Sequence, residues 1–259
     1  MDFTGKTVLV TGSGGRLGRE VCLRFDHLGA RVGALDLSLE AAEATANACR
    51  QAAPLQADVA DAAQVEAAVA ACEQRLGPID ILVNTAGIFP NTPLLEMDLA
   101  EWDRVFAVNV RGTMLCCKAV ASRMVAAGRG GAIINFSSGA STSARAGAAH
   151  YCGSKAAVNM ITQVLAIELG PHGIRVNTVA PGLVLNEVLE RDDSHGSGYV
   201  DAMLKMYPLG RTGAPSDIAG AVLFLASDEL SPWTTGAFVQ VSGGSHTGRP
   251  HVPLSRREV

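Results

Sequence analysis

Short apolar runs alternate along this chain with longer stretches whose hydrophobic residues return every three or four positions. The runs Thr7 to Thr11, Arg31 to Asp36, Asp80 to Asn84, Ala132 to Ser137, Ile174 to Ala180 and Phe238 to Val241 predict strands, with Leu55 to Asp58 a weaker seventh. Helical periodicity covers Leu17 to Leu28, Leu39 to Ala52, Ala63 to Leu76, Ala100 to Ala127, Tyr151 to Leu169 and Ser216 to Ala226; Leu17, Val21, Phe25 and Leu28 show it plainly. Gly29, Gly77-Pro78 and Gly170-Pro171 stand where helices stop, because glycine accepts a left-handed exit and proline cannot continue the turn. Strand-helix alternation of this kind makes a parallel sheet with helices on both faces. A closed eight-fold barrel has the same alternation at a similar length, so periodicity alone leaves it open. No repeat, low-complexity tract or linker divides the chain, and residues 1–259 are expected to form a single domain. Two irregular pieces stand out: a lid at about 183–208 and a tail at about 245–259.

The first turn decides against the barrel. Directly after the first strand comes Thr11-Gly12-Ser13-Gly14-Gly15-Arg16-Leu17-Gly18, which opens into a helix. Glycines there let the backbone turn tightly and approach a pyrophosphate, while the helix start offers free N–H groups and partial positive charge. The expected architecture is therefore an α/β, doubly wound, seven-stranded parallel sheet of the Rossmann three-layer type. Asp36 ends the second strand about twenty residues on, where a carboxylate accepts hydrogen bonds from an adenosine ribose and repels a 2′-phosphate. Capping of the helix near Leu39 is the alternative role for Asp36. Asp58-Val59 follows the third strand and Asn84-Thr85-Ala86-Gly87 the fourth, both at the sheet edge where open α/β sheets bind ligands.

Further along, Tyr151-Cys152-Gly153-Ser154-Lys155 puts a tyrosine and a lysine on one face of a helix, one turn apart. A free tyrosine titrates near ~10, so it serves as a base at neutral pH only if a nearby cation favours its phenolate. Lys155 can supply that field; a solvated pair is the plainer reading of the spacing. Asn135-Phe136-Ser137-Ser138 ends the fifth strand thirteen residues before the tyrosine. Alternation along the strand turns Ser137 away from the cleft and Ser138 toward it, where its hydroxyl can steady charge on a substrate oxygen. Asn109 lies in mid-helix, a place asparagine does not favour.

Taken together, these motifs resemble those of the short-chain dehydrogenase/reductase family, from about Lys6 to Gly244. The resemblance implies an oxidoreductase moving a hydride between a nicotinamide cofactor and a secondary alcohol or ketone. It assigns Ser138, Tyr151 and Lys155 to the catalytic centre, with Asn109 holding a water in a proton relay through Lys155. Gly12, Gly14, Gly15, Arg16, Leu17, Gly18, Asp36 and Leu37 would bind the cofactor, with Asp58 and Val59 at the adenine and Asn84, Ala86 and Gly87 supporting the central strand. Tyr151 and Lys155 join them at the nicotinamide end, as do Pro181, Gly182, Val184 and Asn186, the last standing where family members often carry a threonine. Two positions depart from the family: Arg16 replaces the middle glycine of the first motif and Thr85 the second asparagine of the other. NAD is expected from Asp36, with NADP second because Arg16 brings a cation near the phosphates.

Composition narrows the partners. The 259 residues carry a formal charge of -4, so no basic patch invites nucleic acid or an anionic membrane. Six cysteines lie scattered without Cys-x-x-Cys spacing, which suggests neither zinc nor a disulfide scaffold, and no metal is expected. The short apolar run after Lys6 is too brief for a signal peptide or a span, so a cytoplasmic protein is expected. Glu187, Glu190, Arg191, Asp192, Asp193 and His195 in the lid suit a polar sugar- or polyol-like substrate, and Arg145, His150 and Asn91 are candidates for the pocket rim. A 3-oxoacyl-carrier-protein reductase using NADPH is the alternative, with Arg129 and His172 placed toward an acidic carrier; a non-catalytic dinucleotide-binding regulator is another. Helices 100–127 and 151–169 are apolar over more than one face, which predicts a homotetramer, with a dimer as second choice.

Overall fold

Every residue of the first strand, Thr7–Thr11 (β1), is buried, as a strand covered on both faces requires. The computed structural model describes residues 1–184 and 204–247. Around β1 lie β2 (Arg31–Asp36), β3 (Ala52–Gln56), β4 (Ile81–Asn84), β5 (Gly131–Phe136), β6 (Ile174–Pro181) and β7 (Phe238–Val241). All pair in parallel, in the order β3-β2-β1-β4-β5-β6-β7. The sheet is open, so the barrel is excluded. Between β1 and β4 the direction of winding reverses, and this switch point opens the crevice at the carboxyl ends of the strands.

The helices are α1 (Arg16–His27), α2 (Leu39–Ala46), α3 (Ala62–Leu76), α4 (Leu99–Phe106), α5 (Thr113–Ala126), α6 (Ala149–Leu169) and α7 (Pro215–Ala226). Side-chain alternation along β1 divides the core. Val8 and Val10 face Val21 and Phe25 of α1 and Ile218 and Val222 of α7. Leu9 faces the other way, with Leu82 and Ile133, onto Val69 of α3 and Cys116 and Val120 of α5.

The second helix and third strand differ from expectation. The helix ends at Ala46 rather than Ala52, and the strand is Ala52–Gln56 rather than Leu55 to Asp58. The cause is the buried carboxylate of Asp26 on α1, whose Oδ1 accepts the N–H groups of Arg50 at 2.7 Å and Gln51 at 3.2 Å and so draws the chain out of the helix. The helix expected at 100–127 is α4 and α5 joined by a π-helical turn, Ala107–Gly112. By length and composition alone Leu99–Ala126 is apolar enough to cross a membrane, but 50% of its most apolar window is buried inside the protein.

Candidate active site

The first helix starts without a side-chain cap, as α5, α6 and α7 also do. Helices α2, α3 and α4 are capped by the side chains of Ser38, Asp61 and Asp98, whereas Gly15 at the start of α1 provides no side-chain cap and the first turn holds no acid. The leading N–H groups of α1 are thus left for an anion. Gly12 (φ +68°) is required here, because a Cβ would lie 2.8 Å from the backbone of Ala86. The glycine loop therefore closes directly on the Asn84-Thr85-Ala86-Gly87 turn. Gly14, Gly15 and Arg16 are exposed at the rim, while Leu17 packs on the core and Gly18 is buried beneath the loop. This cradle suits the diphosphate of a dinucleotide.

Asp36 reaches the same loop. Its Oδ2 accepts the Gly14 N–H at 2.9 Å and its Oδ1 the Ser38 N–H at 3.1 Å. Ser38 caps α2, so capping is not the role of Asp36. Next to it Leu37 is exposed, its carbonyl accepting from the Gln56 amide at 3.2 Å. Asp58 accepts the Ala60 N–H at 2.9 Å, and Val59 is buried. Thr85, in place of the family's asparagine, donates its hydroxyl to the Thr11 carbonyl, while the Ala86 N–H donates to Thr11 Oγ1 at 3.2 Å. The guanidinium of Arg16 spans the loop mouth to the Val184 carbonyl at 3.5 Å. On the far side Pro181 ends β6, the Gly182 N–H donates to Val241 O at 2.9 Å, and Val184 bridges to Gly213. Asn186 and the lid's charged residues lie outside the described residues. The described ends of the lid meet where the Leu183 N–H donates to Tyr207 Oη at 2.8 Å.

The expected catalytic groups converge from separate elements. Ser137 is buried and donates its hydroxyl to the Lys155 carbonyl at 3.2 Å, bracing α6 from behind. Ser138 faces the cleft near the Tyr151 phenol, and its Oγ accepts the Ala140 N–H at 3.1 Å. Lys155 is buried and donates from Nζ to the Phe136 carbonyl at 2.8 Å. Its ammonium sits 6.0 Å from the Tyr151 ring centroid. Burial pushes the Lys155 ammonium down to about 8. Burial also raises Tyr151 above its ordinary value, and the Ser138 hydroxyl and the positive charge of Arg145 work against that rise.

Asn109 sits in the π-helical turn, a feature that recurs at functional sites. Its Oδ1 accepts the Ile88 N–H at 2.9 Å, and its Nδ2 donates to the Ile88 carbonyl at 2.9 Å and to Ser154 Oγ at 3.0 Å. Ser154 in turn donates to the Tyr151 carbonyl at 2.8 Å. Gly87 lies between Asn109 and Lys155, where a Cβ would come within 3.2 Å of Asn109 Oδ1 and 3.4 Å of Lys155 Nζ. Behind the site the Asn84 amide donates to Asn135 Oδ1 at 2.9 Å, and Asn135 donates to Thr162 at 2.9 Å, tying β4, β5 and α6 together.

Three residues at the site escaped the sequence reading. Phe89 packs edge-on against Tyr151 with centroids 6.3 Å apart; nothing marks it in the sequence. Ser154 was visible only as a small residue inside the Tyr-x-x-x-Lys segment. Glu101 accepts at 3.0 Å from Nε2 of His150, whose Nδ1 accepts the Tyr151 N–H at 2.8 Å. Of the rim candidates, His150 is fully buried, whereas Asn91 and Arg145 are exposed.

An open sheet with a phosphate cradle at its switch point, and a buried lysine beside a tyrosine at the same crevice, defines a nicotinamide-dinucleotide oxidoreductase. Residues 14–246 match a family model described as enoyl-(acyl carrier protein) reductase. The chain is 42% identical to D-threitol dehydrogenase of Mycolicibacterium smegmatis, over 93% of this chain and 92% of that one. It is 39% identical to sorbitol dehydrogenase of Cereibacter sphaeroides, covering 95% and 99%. A solved short-chain type dehydrogenase/reductase from Mycobacterium marinum superimposes with a TM-score of 0.87 at 34% identity, covering 95% of this chain and 97% of that one. The chain belongs to the short-chain dehydrogenase/reductase family. It is an oxidoreductase acting on CH–OH groups with a nicotinamide cofactor.

Proposed function

We propose that the enzyme oxidises a secondary hydroxyl of a small polyol- or sugar-like substrate, or reduces the matching ketone, with NAD(H). The observation that carries the reading is the convergence of Ser138 on β5 and Tyr151 and Lys155 on α6 beside the glycine cradle. The cofactor supplies hydride acceptance and donation at its nicotinamide carbon. In the oxidation direction Tyr151 accepts the carbinol proton while Ser138 donates to the same oxygen; in reduction Tyr151 returns the proton. Lys155 presents its remaining N–H donors to the nicotinamide ribose, and Gly87 leaves room for that approach. Asn109 positions Ser154 and the 87–88 turn, and its relay through Lys155 completes proton exit. Asp36, held against the glycine loop, receives the adenosine ribose and disfavours a 2′-phosphate, which supports NAD over NADP.

The relatives named for threitol and sorbitol support the polyol class. The carrier-protein alternative is weakened at one of its two cations, because Arg129 is ion-paired to Asp80. A binding-only role fits poorly with a complete set of Ser138, Tyr151 and Lys155. Six free cysteines suit a reducing, cytoplasmic setting. The whole chain is read as one dinucleotide-binding domain working as a homotetramer. The test is a dehydrogenase screen over polyols and ketones with NAD and NADP in parallel, alongside Tyr151→Phe. We expect turnover on a polyol with NAD, and in Tyr151→Phe retained cofactor binding with turnover lower by about three orders of magnitude. Near-normal turnover in that variant would overturn the assignment.

A further inference from the structure

The catalytic tyrosine has two cations near its ring rather than one. Arg145 Cζ lies 6.0 Å from the Tyr151 ring centroid, the same distance as Lys155 Nζ. The two differ in chemistry. Lys155 is buried, and burial pushes its ammonium down to about 8. A guanidinium stays charged across the whole working range of a protein.

The position of Arg145 is built into the rim. The Ala148 N–H donates to the Arg145 carbonyl at 3.2 Å, closing a turn that passes through Gly147 at φ +72°. A side chain at Gly147 would meet Asn91 Nδ2 at 2.8 Å, and the Gly147 carbonyl accepts the Thr92 N–H at 2.7 Å. The loop before α6 is therefore fastened to the opposite wall of the cleft, and Arg145 projects from that fastening over the tyrosine. Among the described residues Arg145 forms no ion pair and no side-chain hydrogen bond, so no carboxylate there neutralises it.

We propose that Arg145 is a second, permanent cation at the active site, which favours the phenolate form of Tyr151 that accepts the substrate proton. The inference rests on the assignment of Tyr151 as the acid/base. The other groups facing Tyr151 are its neighbours His150 and Cys152, Lys155 one turn on, Ser138 from the end of β5, and uncharged Phe89 from the loop after β4. Glu101 of α4 is engaged by His150. The charge of Arg145 counters the effect of burial on the phenol, as does Ser138. A unit charge at such a distance, partly open to solvent, shifts a neighbouring ionisation by about half to one pH unit. Burial lowers the Lys155 ammonium toward about 8, whereas the guanidinium of Arg145 keeps its charge at higher pH.

The experiment compares Arg145→Gln and Arg145→Lys with the parent, each titrated with and without Tyr151→Phe, so that the difference in phenolate absorbance isolates Tyr151. This readout needs neither substrate nor cofactor, so it stands even if the polyol screen fails. We expect Arg145→Gln to move the Tyr151 titration up by about half to one pH unit and Arg145→Lys to restore most of the shift. The acid limb of the pH profile for polyol oxidation should move the same way, lowering kcat about threefold to tenfold at pH 7 with the KM for NAD unchanged. Superimposable titrations for parent and Arg145→Gln overturn the proposal. So does a rate loss of equal size at every pH, which would mark Arg145 as a substrate contact instead.

Discussion

At the scale of single residues, the site is defined by which polar groups are already satisfied and which are left over. Ser137 and Ser138 are adjacent and chemically identical, yet one is buried against the Lys155 carbonyl and the other meets Tyr151. Alternation along β5 made that distinction readable in the sequence. Asp36 was readable only as two alternatives, and the structure gives the capping role to Ser38. Replacing Asp36 with Ala removes the acceptor for the Gly14 N–H and the charge proposed to oppose a 2′-phosphate. Hydrogen bonds to a charged group contribute about 1.5–3 kcal/mol, so Asp36→Ala should raise the KM for NAD by about tenfold or more while narrowing the preference over NADP. Parallel kinetics with the two cofactors check this. An unchanged ratio would transfer the discrimination to Arg16.

At the scale of elements, the first turn of α6 carries the site. A helix start leaves its leading N–H groups without intrahelical partners, and that of Tyr151 is taken by the ring of its own neighbour, His150. Because Nδ1 accepts there, the proton of the neutral ring resides on Nε2 and points to Glu101 on α4. The pair therefore anchors the backbone of Tyr151 to α4. His150→Ala leaves that N–H and a cavity in a fully buried place, and should cost about 3 kcal/mol of stability by denaturant titration. It should also lower kcat more than it raises KM, since the loosened group is the proposed proton carrier. His150→Asn, which can still accept the Tyr151 N–H, should recover part of kcat. If kcat is untouched while stability falls, the pair is structural only. The π-helical turn belongs to the same scale: it interrupts an otherwise continuous helix where Asn109 must reach Ile88 and Ser154, and periodicity could not show it.

At the scale of the whole molecule, α6 presents Met160, Val164 and Ile167 on one exposed stripe, the last 77% exposed. Leu99 and Trp102 of α4 and Met114 of α5 are exposed as well. These side chains stay at the surface, whereas Val105, Val120, Met124 and Val158 from the same helices are buried within the chain. An isologous interface covers such a stripe twice with one set of residues. Light scattering at micromolar concentration should give a tetrameric mass, and Ile167→Asp should reduce it without changing the far-ultraviolet spectrum. A monomeric parent would remove the assembly reading and leave the catalytic one intact.

The sequence by itself determined those features whose causes lie within a few residues of each other. The strand β7 has the bounds its apolar run predicts, the glycine turn follows β1 into a helix, and Tyr151 and Lys155 share a helix face because four residues make about one turn. Only the tertiary structure decided the features whose partners are far apart in the chain. Asp26 on α1 ends α2 at Ala46 by binding Arg50 and Gln51. Glu101 finds His150, Thr92 fastens Gly147, and Arg145 comes to rest beside Tyr151. The physical reason is that helix and strand periodicity is a local property of the backbone, whereas burial, desolvation and the choice of a hydrogen-bond partner depend on what the rest of the fold brings alongside.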